Sequence, residues 1–148
     1  MRTALSSIIV GFILLIAFPA IAKASGSDEK KLIEKQKSYF DAIIRKDYKT
    51  VDGLLAENYY ATYALGIIDR TREMKDVREF PLVSYDISGV KVVFLNKKTG
   101  LISFKLDVKV VVDGKDFYED DYLSCVWTKA KSGWVMTTQT AVKAAKGE

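Results

Sequence analysis

The sequence contains no histidine. That removes the side chain whose ordinary pKa suits proton transfer near neutrality, and with it the commonest nitrogen ligand of zinc. There is one cysteine, Cys125, so no disulfide closes within the chain and no thiolate cluster holds a metal. Cys125 stands in an apolar, alternating stretch, where a thiol is expected to be buried and inert. Calcium loops of regularly spaced carboxylates are also missing. No metal and no cofactor is therefore expected. Charge of one sign is scarce as well: 23 basic residues face 19 acidic ones, a net +4. The lysines are scattered near turns, as at Lys97 and Lys98, Lys129 and Lys131, and Lys143 and Lys146. A solvated surface explains them, and a nucleic-acid partner is not expected.

Only one long apolar run is present, from Ile8 to Phe18, broken by Gly11. Arg2 precedes it, and Pro19 and the small residues Ala20, Ala22 and Ala24 follow. This is the layout of a secretory signal peptide. Two cleavage frames fit, Ala20-Ile21-Ala22 and Ala22-Lys23-Ala24. The second is preferred because it leaves SGSDEKK as a polar new N-terminus. The alternative is an uncleaved anchor, but the run is short of the roughly 20 residues a span needs. Membrane association is expected only through that uncleaved form. Removing 1–24 takes Arg2 and Lys23 with it and leaves 21 basic and 19 acidic residues, a net +2. The expected mature protein is one domain, 25–148, periplasmic or secreted, without repeats or low-complexity linkers, and long enough for a single core.

Residues 28–46 read as a helix: Leu32, Ile33, Tyr39, Phe40, Ile43 and Ile44 recur at helical spacing, with acidic residues first and basic ones last. Asp47 breaks the pattern, and a short helix runs from about Tyr48 to Ala56. ENYYATYALG (57–66) follows. DRTREMKDVREF reads as a third short helix, capped by Asp69 or Thr71 and stopped by Pro81. From residue 82 the period becomes two. Val83–Asn96 forms one or two strands, and NKKTG turns. In LISFKLDVKVVV, Ile102, Phe104, Leu106, Val108 and Val110 face one way and Ser103, Lys105, Asp107 and Lys109 the other. Asp113-Gly114 is a hairpin signal. KDFYEDDYLSCVWTK and WVMTTQTAV complete a meander. Helices followed by long antiparallel strands give an α+β domain with helices on one face of a curved sheet.

The stretch YFDAIIRKDYKTVDGLLAENYYATYALGIIDRTREM, followed by strands and VWTKAKSGW, resembles the NTF2-like superfamily. The match is nearest to its DUF4440 and SnoaL-like branches and covers roughly 30–142. The resemblance implies a cone-shaped fold, a pocket between the long helix and the concave sheet, and a homodimer. It does not imply one function, because this fold hosts many. Ketosteroid isomerases of this fold use a carboxylate base, a tyrosine and a protonated aspartate. Alignment on Asp47 puts Tyr39 at the helix-borne tyrosine and Tyr63 at the base. The second aspartate falls at Leu123 or Cys125. The tyrosine is matched and both carboxylates are missing. A phenol of ordinary pKa, about 10, is a poor base at neutral pH. Relatives that use histidine as the base are excluded outright.

The expected pocket is lined by Tyr39 from the long helix, and by Tyr59 and Tyr63, which share a face whether 57–63 is strand or helix. Met74 and Val77 come from the small helix. Phe104, Leu106, Leu123 and Trp127 come from the sheet, although these would serve equally as ordinary core. Period two puts Glu119 and Asp121 on the inner face beside Leu123, near the pocket mouth, or else at a solvated strand end. Arg70 and Arg72 either bind an anion or pair with Glu73 or Asp76. The expected function is a binder of a small apolar molecule or a protein partner, with no catalytic residue. The alternative is an enzyme that uses Asp121 or Glu119 with Tyr39.

Overall fold

The computed structural model describes residues 26–145; the expected leader at 1–24 lies outside them. Helix α1, Gly26–Ile44, carries Asp28 and Glu29 in its first turn and buries Leu32, Gln36, Tyr39, Phe40 and Ile43 along one stripe. It ends before Lys46, which takes a left-handed φ of 56°. The amide of Asp47 then donates back to the carbonyl of Ala42 at 2.9 Å, closing the helix end. Asp47 caps helix α2, Tyr48–Leu54: its carboxylate accepts from the Thr50 amide at 3.1 Å and from the Thr50 hydroxyl at 2.6 Å.

Helix α2 stops at Leu54, two residues short of the sequence expectation. Leu55 already pairs with Met136 in a parallel ladder and opens strand β1, Leu55–Tyr63. ENYYATY is therefore strand: Tyr59 and Ala61 point into the core, and Tyr60 is half exposed. Gly66, at φ 129°, turns the chain into a four-residue strand, β2, Gly66–Asp69, which the alternation pattern is too short to reveal. Asp69 caps helix α3, Arg70–Glu79, by accepting from the Arg72 amide at 2.9 Å.

Four long strands follow: β3 (Leu82–Asn96), β4 (Thr99–Val112), β5 (Lys115–Ala130) and β6 (Gly133–Lys143). β3 is a single strand, with a register shift at Gly89, whose φ is 60°. The order across the sheet is β2-β1-β6-β5-β4-β3; only β1 and β6 run parallel. The sheet is curved and does not close. On β4 the alternation is as the sequence reads, with Ile102, Phe104, Leu106, Val108 and Val110 buried. Helix α1 lies across this face. Phe40 packs edge-on against Phe104, and the indole nitrogen of Trp127 donates to Gln36 at 3.0 Å. A Cβ at Gly100 would stand 2.7 Å from Leu32, so glycine lets the helix approach the start of β4.

Candidate functional site

Helix α3 is short and its apolar content is small, yet it buries three side chains, Glu73, Met74 and Val77. Glu73 and Val77 are one turn apart and share the inward face. Two arginines of the helix, Arg70 and Arg72, go elsewhere. Arg72 binds Asp76 at 2.7 and 2.9 Å. Arg70 reaches helix α2, where it meets the Asp52 carboxylate at 2.8 Å and the Asp52 carbonyl at 3.0 Å. Both are engaged in ion pairs, and Glu73 is left to the interior at 3 % exposure.

Its carboxylate is held by phenols from two other elements. Tyr39 of α1 donates to Oε1 at 2.5 Å, and Tyr63 of β1 donates to Oε2 at 2.9 Å. Gln139 of β6 donates to the Tyr63 oxygen at 2.8 Å, and the Cys125 thiol of β5 donates to Gln139 Oε1 at 3.5 Å. Five elements thus converge on one network. The hydroxyl of Tyr59 is buried beside it without a hydrogen-bond partner.

Burial raises the pKa of Glu73 above the ordinary carboxylate value, and nearby Asp76 adds to the rise. The hydrogen bonds from Tyr39 and Tyr63 oppose it. Burial first, and then the Glu73 charge, push Tyr39 well above the ordinary phenol value. The same two causes act on Cys125. Tyr63 is raised by burial and Glu73, and Tyr59 by burial and then by Tyr63 and Glu73. All four therefore stay protonated at neutral pH, and Tyr39, Tyr63 and Cys125 serve as donors.

The network forms part of the wall of a cavity of about 460 Å³. Its inner lining is mostly apolar: Phe40, Ile43, Val77, Leu106, Leu123 and Ala141. Leu65 and Phe80 stand exposed at the rim. On the sheet side Asp121 and Glu119 also border it, both facing the amine of Lys143, at 3.7 and 2.5 Å.

Of the residues expected to line a pocket, Tyr39, Tyr63, Val77, Leu106, Asp121 and Leu123 border this cavity. Four do not. Tyr59, Met74 and Phe104 are packed in the core. Trp127 is fully buried, with its indole spent on Gln36. The pairing of Asp121 or Glu119 with Tyr39 is replaced: both carboxylates hold Lys143, and the partner of Tyr39 is Glu73.

A more open depression of about 390 Å³ lies across β3, β4 and β5, around Asp86, Asp107 and Lys109. Several of the charges there are paired: Lys105 binds Asp107 at 2.8 Å and Asp120 at 3.3 Å, and Lys109 binds Asp116 at 2.7 Å. Among the described residues, no three histidine, cysteine, aspartate or glutamate side chains come together as a metal site.

No protein-family model and no curated protein matches this sequence. Solved structures do match. An NTF2-like protein from Cytophaga hutchinsonii superposes with a TM-score of 0.71 at 13% identity, over 82% of this chain and 100% of that one. An NTF2-like superfamily protein from Salmonella enterica serovar Typhimurium gives 0.71 at 14%, over 84% and 96%. The association domain of the Caenorhabditis elegans kinase CaMKII gives 0.69 at 15%, over 79% and 96%. At these identities the likeness concerns the fold, and the fold is NTF2-like.

Proposed function

We propose that this protein is a non-catalytic binder of a small, mostly apolar molecule, held in the cone between helix α1 and the sheet. The observation that carries the reading is the cavity of about 460 Å³, whose apolar walls meet the Tyr39–Glu73–Tyr63 hydrogen bonds. Apolar concavities with a few oriented polar groups are the ordinary form of a small-molecule site. The reading extends to a SnoaL-like or DUF4440-like homodimer that works in the periplasm or outside the cell after loss of residues 1–24. The test is uptake of the neutral fluorophore N-phenyl-1-naphthylamine. The parent is expected to bind one equivalent per chain, and Ala141→Trp, which puts an indole into the cavity, is expected to bind none. No uptake by the parent, or equal uptake by the variant, would overturn the reading.

One observation favours a second reading, in which the site moves a proton. Glu73 is a buried carboxylate with a raised pKa in a cleft, the state in which carboxyl groups act as acids or bases. On that reading the acting group is Glu73, because Asp121 and Glu119 are spent on Lys143. Both Glu73 oxygens already accept phenol hydrogen bonds, which lowers their basicity. The binding reading therefore expects no isomerisation of a β,γ-unsaturated ketone, followed by the absorbance of its conjugated product. Turnover that disappears in Glu73→Gln would establish the second reading instead.

A further inference from the structure

The cavity wall holds five charged side chains. Glu73, Asp76, Glu119 and Asp121 are carboxylates, and Lys143 is the single amine. Asp76 is satisfied by Arg72, and Glu119 and Asp121 share Lys143. Glu73 is different. It is the most buried of the carboxylates, and among the described residues no lysine or arginine pairs with it. A buried charge is stable when paired, and the protein supplies Glu73 with phenol donors but no counterion. Tyr39, Phe40, Tyr63 and Phe80 border the same cavity as the carboxylate. Ring faces attract ammonium groups, and more strongly once the groups are desolvated.

We propose that the ligand of this pocket is an organic cation, an apolar body carrying a protonated amine that docks against Glu73 among these rings. The inference rests on the pocket-binding reading above and names its ligand class. The selectivity is local, because the whole chain is net positive and would on average repel a cation. An anionic ligand such as a fatty acid is disfavoured by Glu73, which no cation among the described residues offsets, and by two further carboxylates that share one amine. The groups around Glu73 are Tyr39 from α1, Tyr59 and Tyr63 from β1, Asp76 from its own helix and Cys125 from β5. Lys143 of β6 borders the same cavity and is held by Glu119 and Asp121. Protonation of Glu73 removes the docking charge, so amine affinity falls as pH drops through its titration, which burial has moved upward.

The experiment is calorimetric titration with three probes of one chain length: n-octylamine, 1-octanol and octanoate. Octylamine is expected to bind about tenfold or more tighter than octanol at pH 7.5, with octanoate weakest. Glu73→Gln is expected to bring the amine down to the affinity of the alcohol. Should that variant fail to fold, the parent answers alone: acidification must weaken amine binding and leave octanol binding unchanged. Octanol or octanoate binding as tightly as the amine, or an amine affinity indifferent to pH, overturns the inference while the pocket reading stands. Failure of all three probes to bind overturns both.

Discussion

At the scale of the residue, the protein turns on Glu73. A carboxyl whose pKa is raised in the folded state holds its proton more tightly there than in the unfolded chain. Its contribution therefore falls as pH rises from the ordinary carboxylate value through the raised one. Glu73→Gln removes that loss. The variant is expected to melt progressively higher than the parent as pH increases across this window, with the gap closing towards the ordinary carboxylate value; thermal melts at stepped pH measure it. Tyr39→Phe leaves one carboxylate oxygen without its donor in a buried site. It is expected to lower stability by about 2 kcal/mol in urea titrations. The phenols were legible in the sequence because Tyr59 and Tyr63 keep a common face in either secondary structure. Glu73 was not, although the signal was there: it stands four residues before Val77 on a helix whose inward face was already identified. Its charge suggested a surface partner among the arginines, and those arginines use Asp52 and Asp76 instead.

At the scale of the element, alternation read the faces of β4 and of the apolar half of β5 correctly, because nothing interrupts their period. It misreads β6. Trp134 and Met136 point inward, and strict alternation would continue through Thr138 and put Gln139 outside. Trp127 pairs with Met136 but Val126 with Thr138, so Thr137 is an extra residue on β6 that changes the count, and Gln139 turns inward to meet Tyr63. Bulges of this kind redirect side chains and leave little local trace in composition. The Asp113-Gly114 turn is the opposite case, read directly from its dipeptide. Both residues take positive φ, 50° and 74°. A Cβ at Gly114 would meet no atom within 4 Å, so substitution there strains only the backbone. Gly114→Ala is expected to cost about 1 kcal/mol and to leave probe uptake unchanged. Urea titration and the fluorophore assay check the two halves of that statement.

At the scale of the whole molecule, a sheet with helices on one face leaves its other face uncovered. Tyr118 and Tyr122 stand on that face at 73% and 56% exposure, beside the paired lysines and aspartates of β4. The proposed homodimer would use this face. Tyr122→Asp is then expected to halve the mass in light scattering, and an unchanged dimer would remove this surface from the account. The fold class was legible because helices precede a long meander. The cavity volume was not, because alternation marks which residues face inward and not how closely they fill the space. The pocket's occupancy is the central claim, and native mass spectrometry of the protein recovered from the cells that make it tests it most directly. The account predicts a chain shortened by the proposed leader and carrying one small molecule, and an Ala141→Trp variant that carries none. A bare chain in both samples would contradict it.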